Sequence, residues 1–369
     1  MLRRTIQGGF LRRLILVPIL LALAALGIAI HELVRDPRLP LEWRKGMNVT
    51  AYQPEAFASD TADEALRSLR ATGTTHIAIV PNWYMDAPNS SAVAPDPAKT
   101  PTDASVEHAI REARSLGFEV TLKPHVDVKD GTFRGEISPD DRTAWFASYR
   151  AMIEGYADLA ARAGATGLCV GTELTSMATD LVGFQEVISA ARRRFDGELS
   201  YAANRIEEAE RIAFWDDLDL IGIDAYMPLE TPDPDSPTLT ELERAWEPYV
   251  ERIEALHERT AKDVVFTELG YESQVGAASE EPTGQVSQPA QAQAYEAAYR
   301  VWSEADFDWF RGIYWWDWSA EGLNSETDDG SFRMAGKKAE NVIRYWNDDS
   351  YEFPPDVDRG ELSTLDEFG

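Results

Sequence analysis

The sequence is poor in the residues that form disulfides and metal sites. It has one cysteine, Cys169, and five histidines among 369 residues. A lone cysteine forms no internal disulfide, so the fold does not depend on an oxidising compartment, and we interpret Cys169 as a small core residue of an apolar strand. The histidines are scattered, and neither an HExxH motif nor a phosphate-binding loop is present, so no metal or cofactor is predicted.

Lysine is also scarce, and acidic charge far outweighs basic charge. Only seven of the 35 basic residues are lysines, and 64 acidic residues bring the net charge to −29. Binding to nucleic acid requires a basic face, so this excess excludes it as a leading function, and it disfavours anionic polymers as substrates. Such a surface is typical of proteins that stay soluble at high salt, although an acidic protein of a mesophilic organism has the same composition.

The one long apolar run lies near the amino terminus. Residues 1–13 contain four arginines and no acid, and residues 14–30 are uncharged and apolar. The run is near the minimum length of a membrane helix, and the arginines favour a cytoplasmic amino terminus. A cleaved signal peptide has the same pattern, but the long apolar core favours an uncleaved anchor. We expect residues 1–30 to anchor an extracytoplasmic domain, or the protein to be secreted if they are cleaved, with residues 31–44 as a linker.

From Lys45 onward, short apolar strands alternate with amphipathic helices. The eight predicted strands cover residues 45–52, 75–84, 118–128, 165–175, 198–204, 218–229, 262–271 and 310–319. Eight strand–helix units over about 300 residues predict a (β/α)8 barrel spanning 45–346. A doubly wound open sheet also alternates strands and helices, but it needs a glycine-rich turn after the first strand, and NVTAYQPEAF has none. The acidic tail, 347–369, shows no periodicity and is expected to be loose.

Two of these strands end in a glutamate. ATGLCVGTELT places Glu173 at the end of strand four, and KDVVFTELGY places Glu268 at the end of strand seven. In a barrel both positions lie on the same rim, where the reactive groups of such enzymes are found. Two facing carboxylates are the minimal apparatus for cleaving a glycosidic bond, and their separation decides between retaining and inverting hydrolysis.

Short motifs on five predicted strands resemble those of a known family. They are KPH on strand three, VGTEL on strand four, GIDAY on strand six, FTELGY on strand seven and YWWDW on strand eight. Together they are similar to glycoside hydrolase family 113 over roughly residues 45–346. The resemblance implies a retaining barrel glycosidase of the clan that carries its acid/base on strand four and its nucleophile on strand seven. It also implies activity on β-1,4-mannan.

Carried over residue by residue, the resemblance implies that Glu173 is the acid/base and Glu268 the nucleophile. Most of the wider clan has asparagine immediately before the acid/base, whereas this chain has Thr172, a departure that family 113 shares. The contact to the sugar 2-hydroxyl must therefore come from another residue. The two roles also require surroundings that move the pKa values of the two carboxyls apart.

Other side chains at strand ends are candidates for binding substrate. Lys123 and His125 share a face of strand three and could donate hydrogen bonds to sugar hydroxyls or to a glutamate, unless they form a buried ion pair with Asp127 or Asp224. Tyr226, at the end of strand six, is placed to hydrogen-bond the nucleophile and keep it ionised. The predicted substrate-binding residues are Trp83, Lys123, His125, Asn204, Asp224, Tyr226, Trp316 and Trp318, with Asn82 as a further candidate at the rim.

The tryptophans of strand eight can be assigned to faces by alternation. Trp316 and Trp318 share one face, and either could be the floor on which a sugar ring stacks, while Trp315 points to the helices.

From the two glutamates and the family resemblance, we expect a retaining hydrolase of β-1,4-linked mannan, glucomannan or manno-oligosaccharides, acting as a monomer. The loops at 86–102, 228–238 and 272–288 leave open another β-glycosidase specificity, such as glucosidase or galactanase. A catalytically silent glycan-binding barrel is the third possibility, but it would need neither glutamate.

Overall fold

The computed structural model describes residues 38–304, 307–322 and 329–353, and its strands form a closed barrel. The strands are β1 (Arg44–Thr50), β2 (His76–Val80), β3 (Asn82–Met85), β4 (Glu119–Leu122), β5 (His125–Val128), β6 (Gly167–Thr172), β7 (Glu198–Asn204), β8 (Leu220–Asp224), β9 (Val264–Leu269) and β10 (Phe310–Ser319). All except β3 and β5 belong to the barrel, in the order β1, β2, β4, β6, β7, β8, β9, β10. The predicted (β/α)8 fold is confirmed.

Two predicted strands are each interrupted by a proline. The strand predicted over 75–84 divides at Pro81, and the one predicted over 118–128 divides at Pro124. Their outer halves, β3 and β5, pair in parallel as a separate two-stranded sheet. Proline has no N–H to complete a ladder, so the barrel ends at these positions and the small sheet continues beyond its carboxyl end.

Helices follow the barrel strands along the chain. They are α1 (Asp60–Arg70), α2 (Asp103–Ser115), α3 (Arg142–Ala163), α4 (Leu181–Arg192), α5 (Arg205–Ala209), α6 (Leu239–Thr260), α7 (Gln288–Trp302) and α8 (Lys338–Asn347). Thr102 caps α2, and Gly164 ends α3 in the left-handed conformation. α3 begins at Arg142 because the side chain of Asp141 caps it. The short helix α5 is followed by a separate turn, Trp215–Asp217.

The start of β1 is packed more firmly than predicted. Leu39 and Trp43 are buried in the core, and the Trp43 ring lies edge-on to Phe310 with centroids 5.4 Å apart. The predicted linker over 31–44 is therefore wrong for Leu39 and Trp43, which pack in the core, and for Arg44, which begins β1. At the other end, Phe353 packs against Tyr345 of α8, so the tail predicted to be loose is held at its beginning.

The predicted membrane anchor, residues 1–30, lies outside the part of the chain that the structure describes. No helix among the described residues is long and apolar enough to cross a bilayer. The apolar run at 14–30 lies outside the described residues, as do residues 354–369 of the acidic tail.

An irregularity in β10 changes which tryptophans face the barrel mouth. Met47 of β1 pairs with Trp315, whereas Val49 pairs with Trp318, so two steps along β1 match three along β10. The extra residue breaks the alternation of faces, and Trp316 no longer shares a side with Trp318. Sequence alternation alone could not show this.

Candidate active site

Glu268, the last but one residue of β9, lies among three polar side chains. Lys123, at the end of β4, contacts its Oε1 in a very short ion pair, and the Nε2 of His125 lies 3.3 Å from the same oxygen. The hydroxyl of Tyr226 donates to Oε2 at 2.8 Å, which is the contact expected from the sequence. Although burial alone would raise the pKa of Glu268, Lys123 and His125 hold it well below its usual range.

Lys123 and Asp224 lie beneath Glu268. Their side chains are 1% and 0% exposed, with Nζ 3.1 Å from Oδ1 of Asp224. Thr267 also donates to that oxygen at 2.8 Å. Burial raises the pKa of Asp224 well above its usual range, so the ammonium of Lys123 neutralises mainly Glu268. Lys123 thus donates to a glutamate and forms the buried ion pair with Asp224, two of the alternatives drawn from the sequence. The prediction that Asp224 and Lys123 bind substrate is wrong, because both side chains are buried.

Glu173 follows β6, and its pKa is shifted in the direction opposite to that of Glu268. Burial and the nearby charge of Glu268 raise its pKa, the guanidinium of Arg134 lowers it, and the net result is a pKa of about 7. Arg134 Nη1 lies 3.7 Å from Oε2 of Glu173. The backbone of Glu173 is left-handed, with φ of 52°, an unfavourable conformation for a residue with a Cβ. The two carboxyls thus differ in protonation near neutral pH, one as acid and one as carboxylate.

Arg134 lies beside Glu173 and contacts His125, and the sequence analysis missed it. Its guanidinium bonds Asp127 Oδ1 at 2.6 Å and His125 Nδ1 at 2.7 Å, while Asn82 donates to the other oxygen of Asp127 at 2.6 Å. It stands in the short helical turn Arg134–Glu136, in the loop that follows β5. The available signal was a lone arginine in a rim loop of an otherwise acidic chain.

His125 is a neutral side chain with a defined tautomer. Burial lowers its pKa to about 4, and the charge of Arg134 acts in the same direction. Because an arginine can only donate, Nδ1 must accept and the ring proton is carried on Nε2, towards Glu268. The imidazole is parallel to the indole of Trp316, with ring centroids 5.8 Å apart and an interplanar angle of 5°. Trp316 thus lies beside the paired carboxyls, as one of the two expected floor residues.

The other three tryptophans named in the sequence analysis point away from the site. Trp318 is buried and donates to the carbonyl of Ala65 in α1, so its prediction as a substrate platform is wrong. Trp83 packs edge-on to Tyr156 of α3, which also contradicts its predicted role. Trp315 faces the helices, as expected, and donates to the hydroxyl of Tyr299 at 2.9 Å.

Asn204 ends β7 beside the site. Its backbone pairs with Asp224 of β8, and its side chain is half-buried at the rim. It therefore remains a candidate for substrate contact.

Two cavities are lined by side chains that lie next to the glutamates. One of about 540 Å³ is lined by Arg134, and one of about 280 Å³ is lined by Tyr226. Aromatic rings line both, Tyr52, Tyr84 and Phe133 in the larger cavity and Phe332 in the smaller. Within the described residues, no cluster of His, Cys, Asp or Glu is arranged to hold a metal ion. The site is thus a carboxylate pair in an aromatic-lined cleft.

The chain matches one protein family over most of its length. The model of Glycoside Hydrolase Family 113 covers residues 49–337, which include both glutamates and all eight barrel strands except the first residues of β1. The chain belongs to glycoside hydrolase family 113. This confirms the resemblance on which the sequence analysis relied and shows that the protein is a glycoside hydrolase.

Solved structures of family 113 have a similar fold. The β-mannanase AaManA from Alicyclobacillus acidocaldarius, solved in complex with ManMIm, is 29% identical, with a TM-score of 0.74 over 83% of this chain and 97% of that one. Another family 113 β-1,4-mannanase is 24% identical, with a TM-score of 0.75 over 84% and 100% of the chains. The β-glucuronidase of Ruminococcus gnavus shares the fold at 14% identity and a TM-score of 0.56, over 83% of this chain and 50% of that one. No curated protein sequence matches the chain.

Proposed function

We propose that this family 113 enzyme hydrolyses β-1,4-linked mannan, glucomannan or manno-oligosaccharides with retention of anomeric configuration. Glu268 is the nucleophile and Glu173 is the acid/base. The observation that carries the proposal is the opposite perturbation of two neighbouring carboxyls, with the pKa of Glu268 lowered and that of Glu173 raised to about 7. Double displacement requires this division, because one group must attack as an anion while the other donates a proton.

The first step forms a glycosyl-enzyme. A carboxylate oxygen of Glu268 attacks the anomeric carbon as the glycosidic bond breaks, and Glu173 gives its proton to the departing sugar oxygen. Lys123 and Tyr226 keep Glu268 ionised and oriented, and His125, uncharged, directs its Nε2 proton to the same carboxylate. These fixed donors need no rearrangement during the reaction.

The second step releases the sugar. Glu173, now ionised, removes a proton from a water molecule that attacks the anomeric carbon, and the bond to Glu268 breaks to restore its carboxylate. Arg134, 3.7 Å from Glu173, is placed to stabilise this transient anion. Both carboxyls return to their starting states, so the cycle needs no cofactor.

Substrate binding relies on flat apolar surfaces. Trp316 is the proposed floor for the sugar at the cleavage point, and Tyr52 and Phe133, 41% and 43% exposed, extend an aromatic wall along the larger cavity. The mannan specificity rests on the substrates named for the family 113 neighbours. Membrane attachment through residues 14–30, an extracytoplasmic catalytic domain, or secretion if the segment is cleaved, and a monomeric state belong to the same proposal.

A substrate panel tests the specificity. The full chain is incubated with β-1,4-mannan, glucomannan, cellulose and β-galactan at low and molar salt, and product masses and anomeric configuration are followed. We expect mannan and glucomannan to be cleaved with β products formed first. Faster cleavage of cellulose or galactan would replace the mannan assignment, and binding without turnover on any of the four would identify a silent barrel.

The buried ammonium of Lys123 is expected to be essential for the charge of Glu268. Lys123→Met leaves two buried carboxyls without their cation, so the pKa of Glu268 rises and the acidic limb of the pH–activity profile moves to higher pH. Unfolding free energy should fall by about 3–5 kcal/mol, because breaking a buried ion pair leaves an unpaired charge. The profile of kcat/KM against pH and denaturant unfolding measure the two effects.

Lys262→Met provides the matched control. Lys262 bonds the carbonyl of Leu218 at the opposite end of the barrel, at 2.6 Å. Its replacement should cost roughly 1 kcal/mol of stability and leave the pH profile in place. An unmoved acidic limb in Lys123→Met would contradict the assignment of Lys123 as the counter-ion of the nucleophile.

A further inference from the structure

Glu208 of α5 is a buried carboxylate that the proposed chemistry does not use. Its residue is 2% exposed. Oε1 lies 2.6 Å from the hydroxyl of Tyr201, and Oε2 accepts hydrogen bonds from the Thr175 hydroxyl at 2.6 Å and the Asn204 backbone N–H at 2.9 Å. One carboxylate thus joins β7, the start of α5 and the loop after β6.

The hydrogen bonds of Glu208 are those of an ionised carboxylate. The Tyr201 hydroxyl accepts the backbone N–H of Leu174 at 3.0 Å, so its own proton is directed to Glu208. The Asn204 backbone can only donate. Every contact on Glu208 is therefore from a donor, and no described cation bonds it directly. Arg211 favours the charge from further away, while burial raises the pKa of Glu208.

The groups that Glu208 holds are the two residues that follow Glu173. Leu174 is fixed through Tyr201 and Thr175 through its own hydroxyl. Glu173 itself has φ of 52°, a conformation that only a firmly held surrounding chain maintains in a residue with a Cβ. Gly171, two residues earlier, lets the Tyr201 ring approach, since a Cβ there would lie 2.6 Å from it.

The charge of Glu208 also acts on Glu173. Four charged groups influence that carboxyl: Arg134 and Lys123 favour its ionised form, and Glu268 and Glu208 oppose it. Both cations also face Glu268, which is ionised, whereas Glu208 has no bonded cation. Glu208 is therefore a fixed negative charge that favours the protonated form of Glu173 in both steps.

We propose that Glu208 is a positioning residue for the acid/base: it fixes the left-handed turn at Glu173 through Tyr201 and Thr175, and its negative charge adds to the effects that favour the protonated form of Glu173 before the first step. This inference rests on the proposed role of Glu173. It adds a residue on α5, outside the cleft, that fixes the direction of the proton donor and contributes to its working pH range.

Glu208→Gln tests the charge with little change of shape. For mannan we expect kcat to fall by about 10-fold, because a misplaced acid is a poor proton donor, while KM stays within about 2-fold. The alkaline limb of the pH profile should move to lower pH by about half a unit. For a dinitrophenyl β-mannobioside, whose leaving group needs no proton, kcat/KM should stay close to that of the unaltered enzyme.

Tyr201→Phe separates the positioning of the turn at Glu173 from the effect of the negative charge of Glu208. It removes the hydroxyl that bridges Leu174 and Glu208 but leaves the carboxylate, so kcat on mannan should fall while the alkaline limb does not move to lower pH. Glu207→Gln is the matched control, because Glu207 is its exposed neighbour on α5, bonded to Arg252 at 2.6 Å. That variant should keep the rate and the profile of the unaltered enzyme.

The outcomes separate this inference from the proposed function. An unmoved alkaline limb in a folded Glu208→Gln variant, or an equal loss on mannan and on the aryl glycoside, would overturn the inference. If that variant does not fold, an unchanged kcat in Tyr201→Phe would overturn it instead. Glu173→Gln tests the proposed function separately: if its alkaline limb persists, Glu173 is not the acid/base, whatever Glu208 does.

Discussion

Replacing Glu268 by alanine is expected to reduce mannan hydrolysis by at least about 10⁴-fold, since the change removes the side chain that forms the covalent intermediate. The lost carboxylate leaves Lys123, Tyr226 and His125 directed at an empty position. A small external anion can occupy that position. Adding azide to Glu268→Ala with an activated aryl β-mannoside should therefore restore turnover and give the α-glycosyl azide, of inverted configuration.

The product of this rescue is the decisive measurement. An α-azide, identified by NMR, shows that Glu268 supplied the nucleophile on the face opposite to the leaving group. Glu186→Ala is the matched control, because Glu186 lies on the outer face of α4, 61% exposed in its side chain, and should keep full activity. Retention of more than about a hundredth of the mannanase rate in Glu268→Ala would rule out the covalent role.

Replacing Glu173 by glutamine is expected to have the second largest effect, with a different dependence on substrate. Mannan hydrolysis should fall by about 10²–10⁴-fold, the usual contribution of a general acid. Formation of the glycosyl-enzyme from a dinitrophenyl mannoside should be nearly unaffected, because that leaving group departs without a proton. The intermediate should then accumulate, giving a burst of dinitrophenol followed by slow turnover.

The pH dependence gives a second measurement of the same role. The pKa of Glu173 is raised to about 7, so the group is protonated below that pH and the proton donor is lost as pH rises through it. The unaltered enzyme should therefore lose kcat/KM on mannan above about pH 7, and Glu173→Gln should lack this limb. Azide added to Glu173→Ala should yield the β-glycosyl azide, the opposite anomer to the Glu268 rescue. Formation of the α-azide there would contradict the assignment.

Much of the barrel fold and of the candidate site could be predicted, because these features depend on residues that are close together in sequence. Apolar runs of strand length alternating with capped amphipathic helices indicate strand–helix units, and eight of them close a barrel. The position of a glutamate at a strand end is also a local property, so Glu173 and Glu268 could be identified without coordinates. Tyr226 could be placed near Glu268 because its strand neighbours that of Glu268 in the barrel.

The incorrect assignments follow from features that local patterns do not contain. Trp318 was assigned by strict alternation, which the irregular pairing of β10 with β1 breaks. Asp224 lies at the end of a strand like its neighbours, but the ring of strands buries it completely. Arg134 and Glu208 lie on a loop and a short helix, whose side chains meet the carboxyls only after the barrel has closed.

The sequence by itself determined the fold class, the family and the choice of Glu173 and Glu268 as the candidate pair. Hydrophobic periodicity, helix caps and strand-end motifs are each encoded within a few consecutive residues. Only the tertiary structure decided the chemical difference between those glutamates. That difference arises from burial and from charges far away in sequence, since Lys123 lies 145 positions from Glu268. Two carboxyls in identical Thr-Glu-Leu triplets thus become an acid and an anion, because burial and the charge of Glu268 raise the pKa of Glu173, whereas Lys123 and His125 lower the pKa of Glu268.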